Sequence, residues 1–143
     1  MENTDQTSTK IKLDFKDSIY ATGKRKTSIA KVWLKKGSGK IFVNGKNLED
    51  YFTRSTHMMQ ILRPFEIINQ STDFDVKSKV IGGGHTGQAG ALVHGISKAL
   101  VKLEENFKKT LRKEKLTTRD SRSVERKKPG RAKARRSFQF SKR

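Results

Sequence analysis

The stretch STDFDVKSKVIGGGHTGQAGALVHGISKALVKLEENF, residues 71–107, changes its hydrophobic period part-way along. In its first half Phe74, Val76 and Val80 alternate with Asp75, Lys77 and Lys79, the two-residue period of a strand with one buried face. Beyond the glycines, Leu92, Ile96, Leu100, Leu103 and Phe107 recur at steps of three and four. That spacing predicts one apolar face of a long helix, which would also carry Glu104 and Glu105.

Upstream, SIYATGKRKTSIAKVWL (residues 18–34) puts Ser28, Ala30, Val32 and Leu34 on one face of a strand and Ile29, Lys31 and Trp33 on the other. Trp33 reads as a residue covering the sheet rather than a platform for bases. KKGSGK and NGK are turn chemistry around the short apolar run IFV, so two or three antiparallel strands are expected here. Asn47 is placed to cap a short helix through Leu48 and Phe52, and Thr56 another through Met58, Ile61 and Leu62. Pro64 then reads as opening a further helical turn rather than sitting inside one. A second helical piece is expected toward Leu116. The expected fold class is α+β, a small mixed or antiparallel sheet covered by helices on one face.

The chain has 143 residues, 32% apolar and 33% charged, with a net charge of +19. From Lys108 to Arg143 sixteen Lys or Arg face three acids, a net +13, which leaves +6 for everything before. This asymmetry divides the chain into a polar, flexible lead-in (1–17), a globular body (18–108) and a basic tail, helical or extended (109–143). Such a field selects a polyanionic partner, with nucleic acid the leading class.

Other classes find little support. There is no cysteine, and His57, His85 and His94 lack the spacing of a metal site. No apolar run is long enough for a bilayer, and MENTDQTSTK lacks the pattern of a signal or transit peptide, so no membrane role is expected. GGGHTG, Gly82–Gly87, contains G-x-G-x-x-G between a strand and a helix. A dinucleotide fingerprint, however, needs further strand and helix units, and only one helix and a basic tail follow. The alternative is structural: a tight turn, with Gly90 and Gly95 letting the helix approach the sheet. No cofactor, no small-molecule substrate and no enzymatic activity are expected.

Two basic features remain. Lys24, Arg25 and Lys26 cluster between two strand-like segments, where a phosphate backbone would neutralise them and solvent is the plainer alternative. The tail's Pro129 and Gly130 oppose a helix, and RAKARR presents cations on an extended or locally helical backbone. Fully extended, residues 129–143 would reach about 50 Å, enough to thread folded RNA, with Phe138 and Phe140 available to stack on bases or to fill apolar hollows between RNA and protein.

Five stretches in this order, YATGKRKTSIAKV, VNGK, VIGGGHTGQAGALVHGISKAL, TRDSRSVERKKPGRAKARR and the terminal QFSKR, resemble the bacterial-type ninth protein of the small ribosomal subunit from Ile19 to Arg143. The resemblance implies an α+β body like the second domain of another small-subunit protein, and a structural role in the subunit head. Its implied partners are small-subunit rRNA, neighbouring ribosomal proteins and peptidyl-site tRNA. On that pattern Lys24, Arg25, Lys26, Arg119, Arg122, Arg126, Lys127, Lys128, Arg131, Lys133, Arg135 and Arg136 would hold rRNA. Ser141, Lys142 and Arg143 would reach the tRNA anticodon stem-loop. The setting would be the ribosome of a bacterial cytoplasm or a mitochondrial matrix. Ser121 and Phe138 stand where prolines are frequent in the family. A general basic nucleic-acid-binding protein is the alternative.

Overall fold

A computed structural model describes residues 15–70 and 73–142; most of the lead-in, residues 1–14, lies outside the described residues. The alternating segment forms a hairpin of β1 (Ile19–Arg25) and β2 (Ser28–Lys36), closed by the two-residue turn Lys26–Thr27. Lys26 occupies the left-handed region there, at φ 52°. Next come β3 (Ile41–Val43) and β4 (Lys46–Asn47), joined through Asn44 and Gly45 at φ 51° and 81°. Two consecutive positive φ angles are what a tight hairpin demands and what Asn-Gly supplies.

Helix α1 (Leu48–Tyr51) and α2 (Ser55–Ile67) lead to β5 (Phe74–Ile81), α3 (His85–Leu103) and α4 (Phe107–Lys113). The sheet order is β1-β2-β5-β3-β4. β5 therefore sits between two elements that precede it, antiparallel to β2 and parallel to β3. The sheet is mixed, because the chain leaves the β3–β4 hairpin through α1 and α2 before β5 returns alongside β3.

The inward face of the sheet is Ala21, Ala30, Val32, Leu34, Val43, Val76 and Val80, all buried, packed on Leu92, Ile96 and Leu100 of α3 and on Ile61 and Phe65 of α2. Phe74 and Ser78 take the other inward positions of β5, and the Ser78 hydroxyl donates to the Phe42 carbonyl at 2.9 Å. At Gly23, a Cβ would overlap the carbonyl of Ala91 and the backbone of Gly95, so α3 crosses β1 almost backbone to backbone.

The structure corrects several local expectations. Pro64 lies inside α2 and is fully buried. The missing N–H costs about 3 kcal/mol in a helix interior, and burial of Ile61, Pro64 and Phe65 around it offsets that cost. Arg54, not Thr56, is the N-cap of α2, and Thr56 is within the helix. Asn47 does hold the N-cap position of α1, without a side-chain capping bond. The long helix stops at Leu103. Glu104 is its C-cap, Glu105 lies in the connecting turn and Phe107 begins α4, so Leu103 and Phe107 meet the core from two helices. Leu111 of α4 is fully buried, and packing continues to Leu116.

Candidate nucleic-acid interface

The hairpin turn projects beside the middle of α3, and the chain leaving α4 returns to it. A cleft of about 250 Å³ forms where they meet, lined by Lys24 and Arg25 of β1, Arg63 of α2, His94 of α3, and Lys115 and Asp120. One Arg25 amino group lies 3.7 Å from the Asp120 carboxylate, tying the body to the base of the tail. Asp120 also receives Arg122 through the guanidinium, at 2.9 to 3.2 Å, and through its backbone N–H at 3.1 Å. The side-chain bonds from Arg122, and then its N–H, hold the Asp120 carboxyl well below the usual carboxylate range and raise the Arg122 guanidinium in turn.

His94 borders the basic cluster. Half-burial, and then the neighbouring Lys98 ammonium, lower its pKa. Its Nδ1 accepts the Lys24 N–H at 3.2 Å, a bond that requires that nitrogen to be unprotonated. The imidazole thereby fixes the backbone of the residue that starts the basic cluster.

Farther on, the tail is less extended than its composition suggests. Glu125, the sole acid after Asp120, pairs with Lys128 and with Arg135 at 3.0 Å, and these two bonds lower its pKa. Gly130 at φ 72° reverses the chain, the Ala132 N–H donates to the Arg136 carbonyl at 2.8 Å, and the Arg131 guanidinium donates to the Ser137 hydroxyl at 2.6 Å. Residues 125–137 thus form a clasped turn, with Glu125 pairing one cation on either side of Gly130. All three acids of the basic quarter are engaged in this way, the third being Glu114 with Arg63 at 2.8 Å.

The residues expected to bind RNA fall into three groups. Lys24, Arg25, Arg119 and Arg122 line the cleft or the hollow beside it, and Lys26 is exposed in the adjoining hairpin turn. Arg126, Lys127, Lys128, Arg131, Lys133, Arg135 and Arg136 belong to the clasped turn, all exposed except the half-buried Lys128. Ser141 and Lys142 are exposed beyond it, and Arg143 lies outside the described residues. Among the described residues Lys24, Lys26, Arg119, Lys127, Lys133 and Arg136 make no ion pair. Phe138 and Phe140 are 66% and 87% exposed, without a core of their own.

Residues 23–143, from the glycine of β1 that α3 crosses through the whole tail, match the family described as ribosomal protein S9/S16. The chain belongs to the ribosomal protein S9 family. It is accordingly a structural protein of the small ribosomal subunit, in a non-enzymatic family whose partners are rRNA and other ribosomal proteins. The S9 glycine run has a structural explanation. Gly82 and Gly83 are left-handed at φ 73° and 61°, and the Gly82 carbonyl receives the buried Ser28 hydroxyl and the Gln88 amide, each at 3.1 Å.

Sequence reasoning did not single out Arg63, His94, Lys115 or Asp120 as parts of the S9 site. Three of them lie on separate elements or connections and meet only through packing. Asp120 had a signal, an acid between Arg119 and Arg122 in a cationic run.

Proposed function

We propose that this S9 protein holds small-subunit rRNA with two linked cationic surfaces and presents its last residues to peptidyl-site tRNA. The rRNA surfaces are the hairpin cluster Lys24, Arg25 and Lys26, and the tail cations from Arg119 to Arg136. The observation that carries the reading is the Arg25–Asp120 contact, which fixes where the tail departs relative to the body's own cations. A polyanion can then meet both as one surface. Arginine supplies a planar fork for phosphate oxygens, and lysine a mobile charge.

Binding would replace Glu125 by phosphate at Lys128 and Arg135, opening the clasped turn so that the tail extends. Ser141, Lys142 and Arg143 then reach the anticodon stem-loop, where a small number of contacts suits a ligand that must leave each cycle. Neutralising about 6–10 phosphates would lower affinity roughly 10³–10⁵-fold between 50 and 200 mM salt, on the scale of duplex DNA.

The test is dissociation of peptidyl-site tRNA from reconstituted small subunits carrying the full protein or one lacking Lys142 and Arg143, at matched occupancy and two salt concentrations. Faster and less salt-sensitive release from the truncated form is expected. Unchanged release removes the tRNA role. Equal affinity of the protein for rRNA and for duplex DNA of the same length would favour a general nucleic-acid-binding protein instead.

A further inference from the structure

Among the described residues no helix covers the outer face of the sheet. Tyr20 of β1 is in register with Trp33 of β2 and, through it, with Lys77 of β5; in the next row Lys31 of β2 stands opposite Lys79 of β5. Lys24 closes the corner near the hairpin turn. The four lysines are exposed, Tyr20 is 42% exposed and Trp33 is half-buried. Like charges placed directly opposite on neighbouring strands are destabilising, and among the described residues no carboxylate pairs with Lys31 or Lys79. The one carboxylate among the strand residues of this face, Asp75, is already engaged. Partial burial opposes its ionisation, but N–H bonds from Lys40 and Ser38, both 2.9 Å, outweigh it and lower its pKa.

The rings of Tyr20 and Trp33 lie 5.3 Å apart with planes at 44°, a splayed pair rather than a closed stack. Two residues along a strand is about 7 Å, so the lysine row runs beside the rings at a separation that lets a base lie on one and its phosphate on the other. The Lys77 ammonium stands 5.8 Å from the centroid of Phe15, which bounds the face on that side.

We propose that this open face is a second RNA-binding surface, taking a short unpaired segment with bases on Tyr20 and Trp33 and phosphates along Lys31, Lys79 and Lys24. The segment is unpaired because a duplex keeps its base faces stacked inside, whereas single strands offer them to aromatic side chains. The aromatic pair distinguishes this surface from the cleft, which has cations but no exposed ring. The proposal rests on RNA being the partner and not on the role of the tail.

Trp33 is the only tryptophan, so its fluorescence reports on this face alone. Full-length protein is titrated with a single-stranded adenine octamer and with an eight-base-pair RNA duplex, total binding being followed by anisotropy of labelled RNA. The octamer is expected to quench Trp33 and the duplex to bind without quenching. Tyr20→Ala weakens the quenching interaction about 5- to 150-fold. The double variant Lys31→Ala/Lys79→Ala lowers the salt slope by about 1 to 2 while its Tm stays at or above that of the parent. Alanines at Arg131, Lys133, Arg135 and Arg136 leave quenching intact, so failure of the tail reading is recognised separately. Binding of the octamer without quenching, equal quenching by the duplex, or an unchanged double variant overturns the proposal. In reconstituted subunits, a benzophenone on Lys31→Cys, unique because the chain has no cysteine, is expected to crosslink to rRNA. Crosslinks only to a protein neighbour or to the chain's own residues 1–14 overturn it.

Discussion

Replacing Gly23 by alanine adds one methyl group where α3 and β1 pass at closest approach. In a strand interior that exchange is ordinarily favourable by roughly 0.5–1 kcal/mol, because glycine loses more freedom on folding. Here the added carbon would overlap the Ala91 carbonyl and the Gly95 backbone, with the Gly95 Cα at 2.8 Å. Neither can swing aside, so the whole helix must lift from a core in which Leu92, Ile96 and Leu100 are fully buried. Overpacking a tight core typically costs 1–3 kcal/mol, and a backbone obstacle puts Gly23→Ala at the top of that range, about 3 kcal/mol. With a urea slope of about 1–3 kcal/mol/M, the unfolding midpoint should fall by about 1–3 M. Gly90→Ala provides the internal comparison. The atoms nearest its methyl belong to the Arg25 side chain, which can move, and it gains about 0.8–1.0 kcal/mol of helix propensity. Its stability should therefore stay within about 1 kcal/mol of the parent, a midpoint shift of at most about 0.3–1 M. Urea unfolding followed by Trp33 fluorescence measures both. A Gly23→Ala midpoint equal to that of Gly90→Ala would refute the backbone-to-backbone seating of α3.

Asn44→Ala removes the amide that accepts from the Val80 N–H at 2.8 Å and donates to its carbonyl at 3.0 Å, at a left-handed position; a loss of about 1–3 kcal/mol in chemical denaturation is expected. Asp120→Asn frees Arg25 and Arg122 for phosphate, so filter binding to RNA should tighten and its salt slope steepen by about 1 to 2, with circular dichroism unchanged. His94 has a lowered pKa when folded, so the unfolded chain takes up the proton first as pH falls. Its stabilising contribution is full above about pH 6.5 and is lost as pH drops through the folded value. The slope of Tm between pH 7 and 5 should accordingly flatten in His94→Gln.

The elements with a clean period were legible in the sequence. β2, β5 and the buried face of α3 follow directly from Ala30, Val32 and Leu34, from Phe74, Val76 and Val80, and from Leu92, Ile96 and Leu100, because alternation and helical spacing record which side meets the core. Pro64 defeated the same logic, since its local penalty is outweighed only by burial that arises after folding. The break at Glu104–Asn106 was hidden because Leu103 and Phe107 keep helical spacing across it. The parallel pairing of β3 with β5 has no local signal at all, as three residues of Ile41–Val43 carry little information about their neighbour. The basic groups of the cleft could be named from composition, but their meeting point could not. The Arg25–Asp120 contact joins residues nearly a hundred positions apart, and Asp120 counts in composition only as one charge less.

The place of β5 between β2 and β3 has a consequence for how the chain comes into being. The β1–β2 hairpin needs only near neighbours, but β3 can join the sheet only after β5 has been synthesised to bridge it. The core is then covered by α3 and closed by Leu111 of α4, at the very start of the basic quarter, before most of that quarter has left the exit tunnel. Non-local closure is slow relative to a hairpin, and a cationic segment available during that interval would draw polyanions onto an unfinished body. The order of the sequence makes synthesis itself a schedule in which the hydrophobic work is done before the charge is released.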